Sequence, residues 1–354
     1  MKTAVALVFG LLILSLLATV GSGQTTPQNS QQPRPRPSPT PIDAGDDDYE
    51  VVRVTSNLVV VPVSVTNTAG QPVLGLTAKD FRLEEGGRAQ EIAEIGDAEQ
   101  VPLEIAILLD VSGSVNARID FEKEAAARFL KQVLKPADRA TVFTIAINPH
   151  LELARATAEI ASAKMMSIKS TRGPTAYYDT VIEAARYLAN STPPKSRRVI
   201  VVISDGEDNF SEKIKAAIGD TAEAQRDATA QTRRATFNKV QLEVQREIQR
   251  AEAAFYSINP SGQALHLNVI SMRAQESMEQ LANATGGTSF VPEKLTDLDA
   301  VFSQITAELR SQYLVQYYSK SEAPNGTFLP IKVLIPQQPN SRIRARQGYY
   351  VSRR

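Results

Sequence analysis

The sequence predicts an α/β protein in which a doubly wound, mainly parallel sheet is inserted into a β-sandwich-like module. Residues 105–109 and 199–203 are apolar without alternation, as in strands that are buried on both faces of a parallel sheet. Around them, helical patterns alternate with further strand patterns, as a doubly wound sheet requires. Towards both ends of the chain, apolar residues instead recur at every second position, which is typical of strands with one buried face. These flanks therefore predict one discontinuous β module around the α/β domain.

The first 23 residues predict export from the cell. Met1 and Lys2 form a short basic start, residues 4–20 are apolar, and residues 21–23 are small, which together is typical of a secretory signal peptide. The apolar segment is about as long as the shortest membrane spans, so an uncleaved anchor is the alternative, and membrane contact is expected only in that case. Under either interpretation we expect the protein in the periplasm, the cell envelope or the extracellular space.

Residues 24–48 predict a disordered linker. They are rich in Pro, Ser, Thr and Gln and end in the acidic run 46–48. Such a composition buries too little apolar surface to build a core, and it favours an extended chain. We therefore expect this linker to hold the folded part away from the membrane or the cleavage site.

The composition argues against several kinds of site. There is no cysteine, which excludes disulfides and thiolate zinc sites, and the only two histidines, His150 and His266, are far apart in sequence. A zinc centre or a Ser/His/Asp triad is therefore poorly supported. The 39 basic and 39 acidic residues balance, which argues against a nucleic-acid partner. No glycine-rich phosphate loop follows any strand, so we expect no nucleotide or other small-molecule cofactor.

Short strands with one apolar face are expected over residues 49–100 and 312–354. Turn-forming residues separate the runs. The alternating apolar positions are Val59, Val61, Val63 and Val65 in the first flank and Tyr313, Val315, Tyr317, Ile331, Val333 and Ile335 in the second. The first flank alone is too short for a core of its own, so we expect the second flank to complete the β module.

Helices and strands are expected to alternate through the inserted domain, residues 101–311. The patterns predict helices over residues 120–134, 158–168, 177–189, 274–284 and 297–310, and strands over residues 140–147, 254–258 and 288–291. The segment 211–253 is longer than one crossover helix needs. Its second half has a single apolar stripe and predicts a helix packed on the sheet, with a coiled-coil arm as the alternative. Its first half, residues 219–234, has no apolar face and predicts an exposed helical extension.

Oxygen-bearing side chains follow both of the buried strands. Asp110, Ser112 and Ser114 form the pattern D-x-S-x-S directly after residues 105–109, and Asp205 follows residues 199–203. Thr175 lies on a Gly/Pro-marked loop that opens a helix between them. Open α/β sheets bind ligands at the carboxyl ends of their strands, and hard oxygen ligands suit Mg²⁺ above other ions. The sequence therefore predicts a metal site at this edge of the sheet.

With these loops in this order, the chain resembles the von Willebrand factor type A (vWA) domain and its metal-ion-dependent adhesion site (MIDAS). The resemblance implies that Asp110, Ser112, Ser114, Thr175 and Asp205 hold Mg²⁺, with Mn²⁺ or Ca²⁺ as alternatives. It also implies adhesion without catalysis, with an acidic side chain of a protein partner as a further metal ligand. In a departure from the family pattern, proline precedes the loop threonine where the family often has glycine.

The wider layout, from residue 49 to residue 351, resembles the secreted bacterial family called VWFA-related, which is abundant in acidobacteria. The resemblance rests on the signal, the Pro-rich spacer, the D-F-x-L-x-E-x-G segment at residues 80–87, the MIDAS loops and a terminal R-x-G-Y-Y. We expect the partner-binding rim of the site at Val115, Pro174, Tyr177, Glu207 and Asp208.

Two alternatives to metal-dependent protein binding remain open. The chain could be a structural envelope scaffold whose metal site only stabilises the fold. It could also be a metal-dependent hydrolase, which would need a general base that the site loops do not offer. A second cation at residues 207–209 is conceivable, although a solvated acidic helix start is the favoured interpretation of that stretch.

Overall fold

The structure, a computed structural model, describes residues 57–112, 118–171, 173–219, 221, 223, 227–262 and 269–352. The expected signal peptide and linker lie outside the described residues, as do the predicted metal ligand Ser114 and the predicted rim residue Val115. Within the described residues, no helix is long and apolar enough to cross a membrane.

The elements are numbered here in chain order. The strands are β1 (Leu58–Thr66), β2 (Arg82–Glu85), β3 (Arg88–Gln90), β4 (Ile92–Asp97), β5 (Leu103–Asp110), β6 (Arg139–Ile145), β7 (His150–Ala156), β8 (Arg197–Ile203), β9 (Ala253–Ile258), β10 (Ser289–Phe290), β11 (Tyr313–Tyr318), β12 (Phe328–Leu334), β13 (Arg342–Ala345) and β14 (Gly348–Tyr350). The helices are α1 (Ile119–Val133), α2 (Ala158–Ser167), α3 (Tyr177–Ser191), α4 (Glu212–Ile218), α5 (Ala230–Arg250), α6 (Val269–Thr285) and α7 (Leu298–Arg310).

The central sheet has six strands in the order β10-β9-β8-β5-β6-β7. All neighbours are parallel except β7, which pairs antiparallel with β6 at one edge. The predicted doubly wound, mainly parallel sheet is thereby confirmed. β7 was not predicted from the sequence, because most of this strand is exposed and only Leu151 and Leu153 mark its alternation. An edge strand of this kind lacks the continuous apolar run of a strand buried on both faces.

Helices cover both faces of the central sheet. The core on one face includes α1, α2 and α7, and the core on the other includes α3, α4, α5 and α6. In β5, the side chains of Ile105, Ile107 and Leu109 join the first core, and those of Ala106 and Leu108 join the second. Because a strand between two helical layers buries every side chain, β5 is apolar without alternation.

The two flanks of the chain form one β-sandwich. One sheet has the order β13-β1-β11-β4 and the other the order β14-β12-β2-β3, so each sheet contains strands from both ends of the chain. β1 pairs antiparallel with β11, with Val61 opposite Val315, and β12 pairs with β2, with Val333 opposite Leu83. All four of these side chains lie in the core between the two sheets. The predicted insertion of an α/β domain into a discontinuous β module is therefore confirmed.

The long segment after β8 contains α4 and α5. Val240, Val244 and Ile248 of α5 are buried in the core on one face of the central sheet. This half of the segment is therefore a helix packed on the sheet, and not a projecting coiled-coil arm. In the predicted helical extension, residues 219–234, positions 220, 222 and 224–226 lie outside the described residues.

Candidate metal centre

Three loops meet at one edge of the central sheet. Because β5 and β8 are parallel neighbours, Asp110 at the end of β5 and Ser204 directly after β8 lie at the same edge. The loop before α3 is tied to the first of these loops, since the backbone N–H of Thr171 donates to the Val111 carbonyl at 2.7 Å. The carboxyl ends of the strands thus bring together the segments that the sequence analysis singled out.

Asp110 is fully buried at this edge. Its Oδ1 accepts a hydrogen bond from the backbone N–H of Ser112 at 2.9 Å, and its Oδ2 accepts one from the Ser204 hydroxyl at 2.7 Å. Burial raises the pKa of the Asp110 carboxyl to about 6; the hydrogen bond from Ser204 opposes this rise, and the negative charge of Asp205 adds to it. The charge of Asp205 therefore acts on the Asp110 carboxyl, so these two predicted ligands lie near each other.

Ser204 is a site residue that the sequence analysis missed. It is fully buried, its hydroxyl donates to Asp110, and its oxygen accepts the backbone N–H of Gly206 at 2.9 Å. This side chain therefore fixes the carboxylate of β5 to the turn that follows β8. The signal in the sequence is a hydroxyl residue placed directly before the strand-end aspartate, a pattern that also occurs in ordinary turns.

Thr175 is held against the loop that follows β8. Its backbone N–H donates to the side-chain oxygen of Asn209 at 2.8 Å, and its carbonyl accepts the backbone N–H groups of Asn209 and Phe210 at 3.1 Å each. Asn209 was also missed as a positioning residue, because such side-chain-to-backbone pairings become visible only once two loops are neighbours. Thr175 is buried, and its position relative to the Asp205 turn is fixed by these three bonds.

The turn after β8 carries the second predicted carboxylate. Asp205 is half-buried, and its Oδ1 accepts the backbone N–H of Glu207 at 3.2 Å. Gly206 between them has a φ of +75°, a conformation that glycine adopts without strain. Glu207 is half-buried and accepts a hydrogen bond from the Ser271 hydroxyl at 2.5 Å. A tight turn therefore presents Asp205 at the edge and ties Glu207 to α6.

Two of the residues expected at the rim are buried instead. Tyr177 is fully buried in the core beneath α3. Asp208 is buried as well, and its carboxylate accepts the backbone N–H of Tyr178 at 2.8 Å and the hydroxyl of Ser211 at 2.5 Å. Because both side chains are buried, the expectation that Tyr177 and Asp208 contact a partner is wrong for this structure. The expected solvated acidic helix start is wrong at Asp208 for the same reason. Its carboxylate fastens the Asp205 turn to α3, which leaves Pro174 and Glu207 as the half-buried rim residues in the described part.

The arrangement fits a hard divalent cation. Asp110, Ser112, Thr175 and Asp205 bring oxygen donors to one edge, and in the described part of the chain no basic side chain forms an ion pair with Asp110. The negative charge of Asp205 acts against that of the buried Asp110, and a cation between them would offset both charges. Within the described residues, no three carboxylate or imidazole groups lie close enough together to hold a metal by themselves. Hydroxyl oxygens would therefore have to complete the ligand set.

Comparisons with known proteins agree with this fold. Residues 105–207 match the family model of the von Willebrand factor type A domain. This range includes all five predicted metal ligands. No curated protein matches the chain.

Several solved structures are similar to the chain at low sequence identity. The PilB minor pilin from Streptococcus sanguinis is 12% identical with a TM-score of 0.47, and the match covers 60% of this chain and 62% of the pilin. A von Willebrand factor type A protein from Catenulispora acidiphila is 14% identical with a TM-score of 0.44, over 85% of this chain and 64% of that protein.

A third similar structure is proximal thread matrix protein 1 from the mussel byssus, with a zinc-occupied MIDAS motif. It is 14% identical with a TM-score of 0.42, over 64% of this chain and 49% of that protein. The chain thus spans less than two thirds of each of these three proteins, and TM-scores below 0.5 carry no argument about function. What the family match and the sheet topology establish is that this chain contains a vWA-like α/β domain, with residues 105–207 matching the von Willebrand factor type A family.

Proposed function

We propose that this chain binds a protein partner through a divalent cation. Asp110, Ser112, Ser114, Thr175 and Asp205 would hold the cation in the manner of a MIDAS. The observation that carries the proposal is the buried Asp110 carboxylate, which is fixed by hydrogen bonds from two loops and lies near a second carboxylate. A buried negative charge is costly unless an opposite charge compensates it, and a cation at this edge would do so.

The chemistry of the ligand set favours an additional ligand from outside. Mg²⁺ prefers six oxygens in octahedral geometry, and it keeps water or an outside ligand at every position that the protein leaves unfilled. Two carboxylates and three neutral hydroxyls would leave such a position open. An Asp or Glu of the partner would suit it, with Mn²⁺ and Ca²⁺ as alternative ions. Pro174 and Glu207, together with Val115, would contact the partner around the ion and contribute selectivity.

We further propose that the protein is exported and acts by adhesion, not as an enzyme. The signal-peptide pattern at residues 1–23 supports export. Two further carboxylates near the site are already engaged in structural hydrogen bonds, Glu207 with Ser271 and Asp208 with Ser211. A hydrolase would need a general base beside the cation, and these engaged side chains are poor candidates for that role.

A pull-down with the tagged full-length chain from envelope extract tests the proposal. It compares the wild type in Mg²⁺ and in EDTA with two variants in Mg²⁺, Asp110→Ala and Asp120→Ala. Asp120 is the matched control, because its side chain on α1 is 87% exposed. We expect one set of partners that the wild type and Asp120→Ala retain in Mg²⁺, and that both EDTA and Asp110→Ala release.

The opposite result would favour the scaffold interpretation. If the same partners are captured in Mg²⁺, in EDTA and by Asp110→Ala, the cation does not mediate capture. If the wild type, but not Asp110→Ala, still binds Mg²⁺ in that case, the role left for the cation is to stabilise the fold. If a partner is captured as expected, replacing its Asp and Glu residues one at a time by Asn and Gln should identify the side chain that completes the site.

A further inference from the structure

Glu122 is a buried carboxylate for which the described part of the chain offers no hydrogen-bond donor. It lies in the first turn of α1, and its side chain is 0% exposed. Within the described residues, neither of its carboxylate oxygens accepts a hydrogen bond. Buried polar groups in folded proteins are almost always paired, and an unpaired carboxylate is among the costliest exceptions. The position therefore calls for an explanation other than packing, since an apolar side chain of similar size would pack without this cost.

Within the described residues, the cationic group nearest to Glu122 in an ion pair is the guanidinium of Arg118. The Nε of Arg118, one helical turn earlier, lies 3.8 Å from Glu122 Oε1. The guanidinium also serves another partner, because its Nη1 donates to the Pro260 carbonyl at 3.1 Å. This separation is too long for a hydrogen bond, so Arg118 compensates the charge of Glu122 only in part.

The other charges that act on Glu122 belong to the candidate metal centre. Burial raises the pKa of Glu122 to about 8; the positive charge of Arg118 opposes this rise, and the negative charges of Asp110 and Asp205 add to it. Charges act over longer distances in the water-excluded interior than at the surface. The three carboxylates do not form one close cluster within the described residues, so we do not count Glu122 among the metal ligands.

We propose that Glu122 is a positioning residue of the metal centre, whose negative charge behind Asp110 and Asp205 raises the affinity of the site for a divalent cation. The inference rests on the proposed cation site and deepens it. In the cation-free protein the negative charges of Asp110 and Asp205 disfavour a negative charge on Glu122. A bound divalent cation cancels those two charges and attracts the Glu122 carboxylate, so its ionised form becomes favourable. Groups behind the ligands commonly tune metal sites in this way.

The additional carboxylate also affects how strongly the cation attracts a partner. With Asp110 and Asp205 alone, the charge of a divalent cation is just balanced, and Glu122, whose charge Arg118 compensates only in part, adds negative charge to the site. A negative site attracts the acidic side chain of a partner less strongly than a neutral one. Replacing Glu122 by glutamine should therefore weaken cation binding and, once the cation is saturating, strengthen partner capture. A purely structural glutamate would change neither quantity.

Isothermal titration of the full-length chain with Mg²⁺ and with Mn²⁺ tests the inference. The variants are Glu122→Gln, Glu124→Gln and Asp110→Ala. Glu124 is the matched control, because it lies on the same helix with a side chain that is 53% exposed. We expect Glu122→Gln to weaken cation binding about tenfold, the lower end of the range for groups behind metal ligands, and Glu124→Gln to leave it within about twofold.

Each outcome has a distinct meaning. Unchanged cation affinity in Glu122→Gln, with binding abolished by Asp110→Ala, would overturn this inference and leave the proposed cation site standing. A wild type that binds no cation would overturn the proposed function itself. If Glu122→Gln fails to fold in EDTA, Glu122→Met offers a neutral, apolar side chain of similar length for the same titration, and it should weaken cation binding to the same degree.

Discussion

Glu85 in the β-sandwich and Glu122 in the α/β domain are both buried, at 5% and 0% exposure, but their surroundings are opposite in kind. Glu85 accepts hydrogen bonds from the hydroxyls of Tyr317, Ser319 and Tyr349 at 2.8–2.9 Å. Glu122 accepts none within the described residues, and two of the charges that act on it are negative.

Glu85 stabilises the fold through its hydrogen bonds, whereas Glu122 destabilises the cation-free fold. Three donors from the C-terminal flank, two on strands and one just after β11, converge on Glu85 of the N-terminal flank, so this residue helps to join the two halves of the sandwich. Within the described residues, the negative charge of Glu122 is compensated only in part, by Arg118 at 3.8 Å. Local conflicts of this kind are expected at functional sites, and a satisfied network is expected where only stability is at stake.

The strongest test of this comparison removes Asp110, the predicted metal ligand whose charge acts on Glu122. Asp110→Ala should lower the affinity for Mg²⁺ by more than about 100-fold, because loss of a ligand should exceed the 10–100-fold effect of groups behind the ligands. The sheet should stay intact, since the neighbouring strand residues remain buried. Titration calorimetry and circular dichroism measure the two effects. Tight Mg²⁺ binding by this variant would place the cation elsewhere.

The sandwich side of the comparison is tested by Glu85→Gln. The variant should lower the free energy of unfolding by roughly 2–3 kcal/mol, because hydrogen bonds to a charged acceptor are lost and an amide NH₂ meets hydroxyl donors. Urea unfolding measures this change, and cation affinity should not move. Glu94→Gln, at an exposed position of β4 in the same sandwich, is the control. If both variants unfold alike, Glu85 does not hold the two flanks together.

The pH dependence of the cation-free protein should also distinguish the two regions. Glu122 has a folded pKa of about 8 against an ordinary value of 4.5 for a glutamate, so the folded state keeps a proton that the unfolded state has lost between these pH values. Its contribution to stability is therefore complete below pH 4.5 and falls as pH rises towards 8, by up to about 1.4 kcal/mol per pH unit. Asp110, with a folded pKa of about 6, adds to this fall only at lower pH.

The free energy of unfolding, measured in EDTA at pH 6.5 and 7.5, gives the share of this pH dependence that Glu122 causes. The wild type should lose stability across this interval, and Glu122→Gln should lose less, because the amide does not titrate. Saturating Mg²⁺ should flatten the wild-type curve too, since it favours the ionised carboxylates. Parallel curves for the two proteins in EDTA would contradict the assignment of the raised pKa to Glu122.

The smallest of these effects is expected from Ser204→Ala. The variant removes the hydroxyl that donates to Asp110 Oδ2 at 2.7 Å and leaves the backbone of the turn in place. We expect about a tenfold weaker affinity for Mg²⁺, the same as for Glu122→Gln, because both side chains act on a ligand and not as ligands. Ser196→Ala, which changes a half-buried serine before β8 whose hydroxyl donates to the Pro193 carbonyl, should have no effect in the same titration.

Much of the fold follows from local sequence patterns. The continuous apolar runs of β5 and β8 predict strands covered on both faces, and α1 and α3 begin within one residue of their predicted starts. The alternating valines of β1 and the matching pattern of β11 predict that the flanks share one module. β7 escaped prediction, because an exposed edge strand has no strong pattern of its own.

The candidate site was predictable only in part. Asp110, Ser112, Thr175 and Asp205 could be singled out because each follows a strand or opens a helix, and such positions are recognisable along the chain. Tyr177 and Asp208 were misplaced at the rim, because nothing in the local sequence tells whether a side chain at a helix start points outward or into the core. Their burial depends on α3 packing against the central sheet.

By itself, the sequence determined the order of the elements, the oxygen-rich loops at the carboxyl ends of two buried strands, and the pairing of the two flanks, because these features are carried by periodicity and by short motifs. Only the tertiary structure decided which groups meet across long separations in sequence. Ser204 reaches Asp110 across 94 positions, and Asn209 reaches Thr175 across 34. Glu122 became distinctive for the same reason. Its burial, with no hydrogen bond from the described residues, depends on the packing of α1 against the central sheet, and a local pattern does not record what lies around a buried charge.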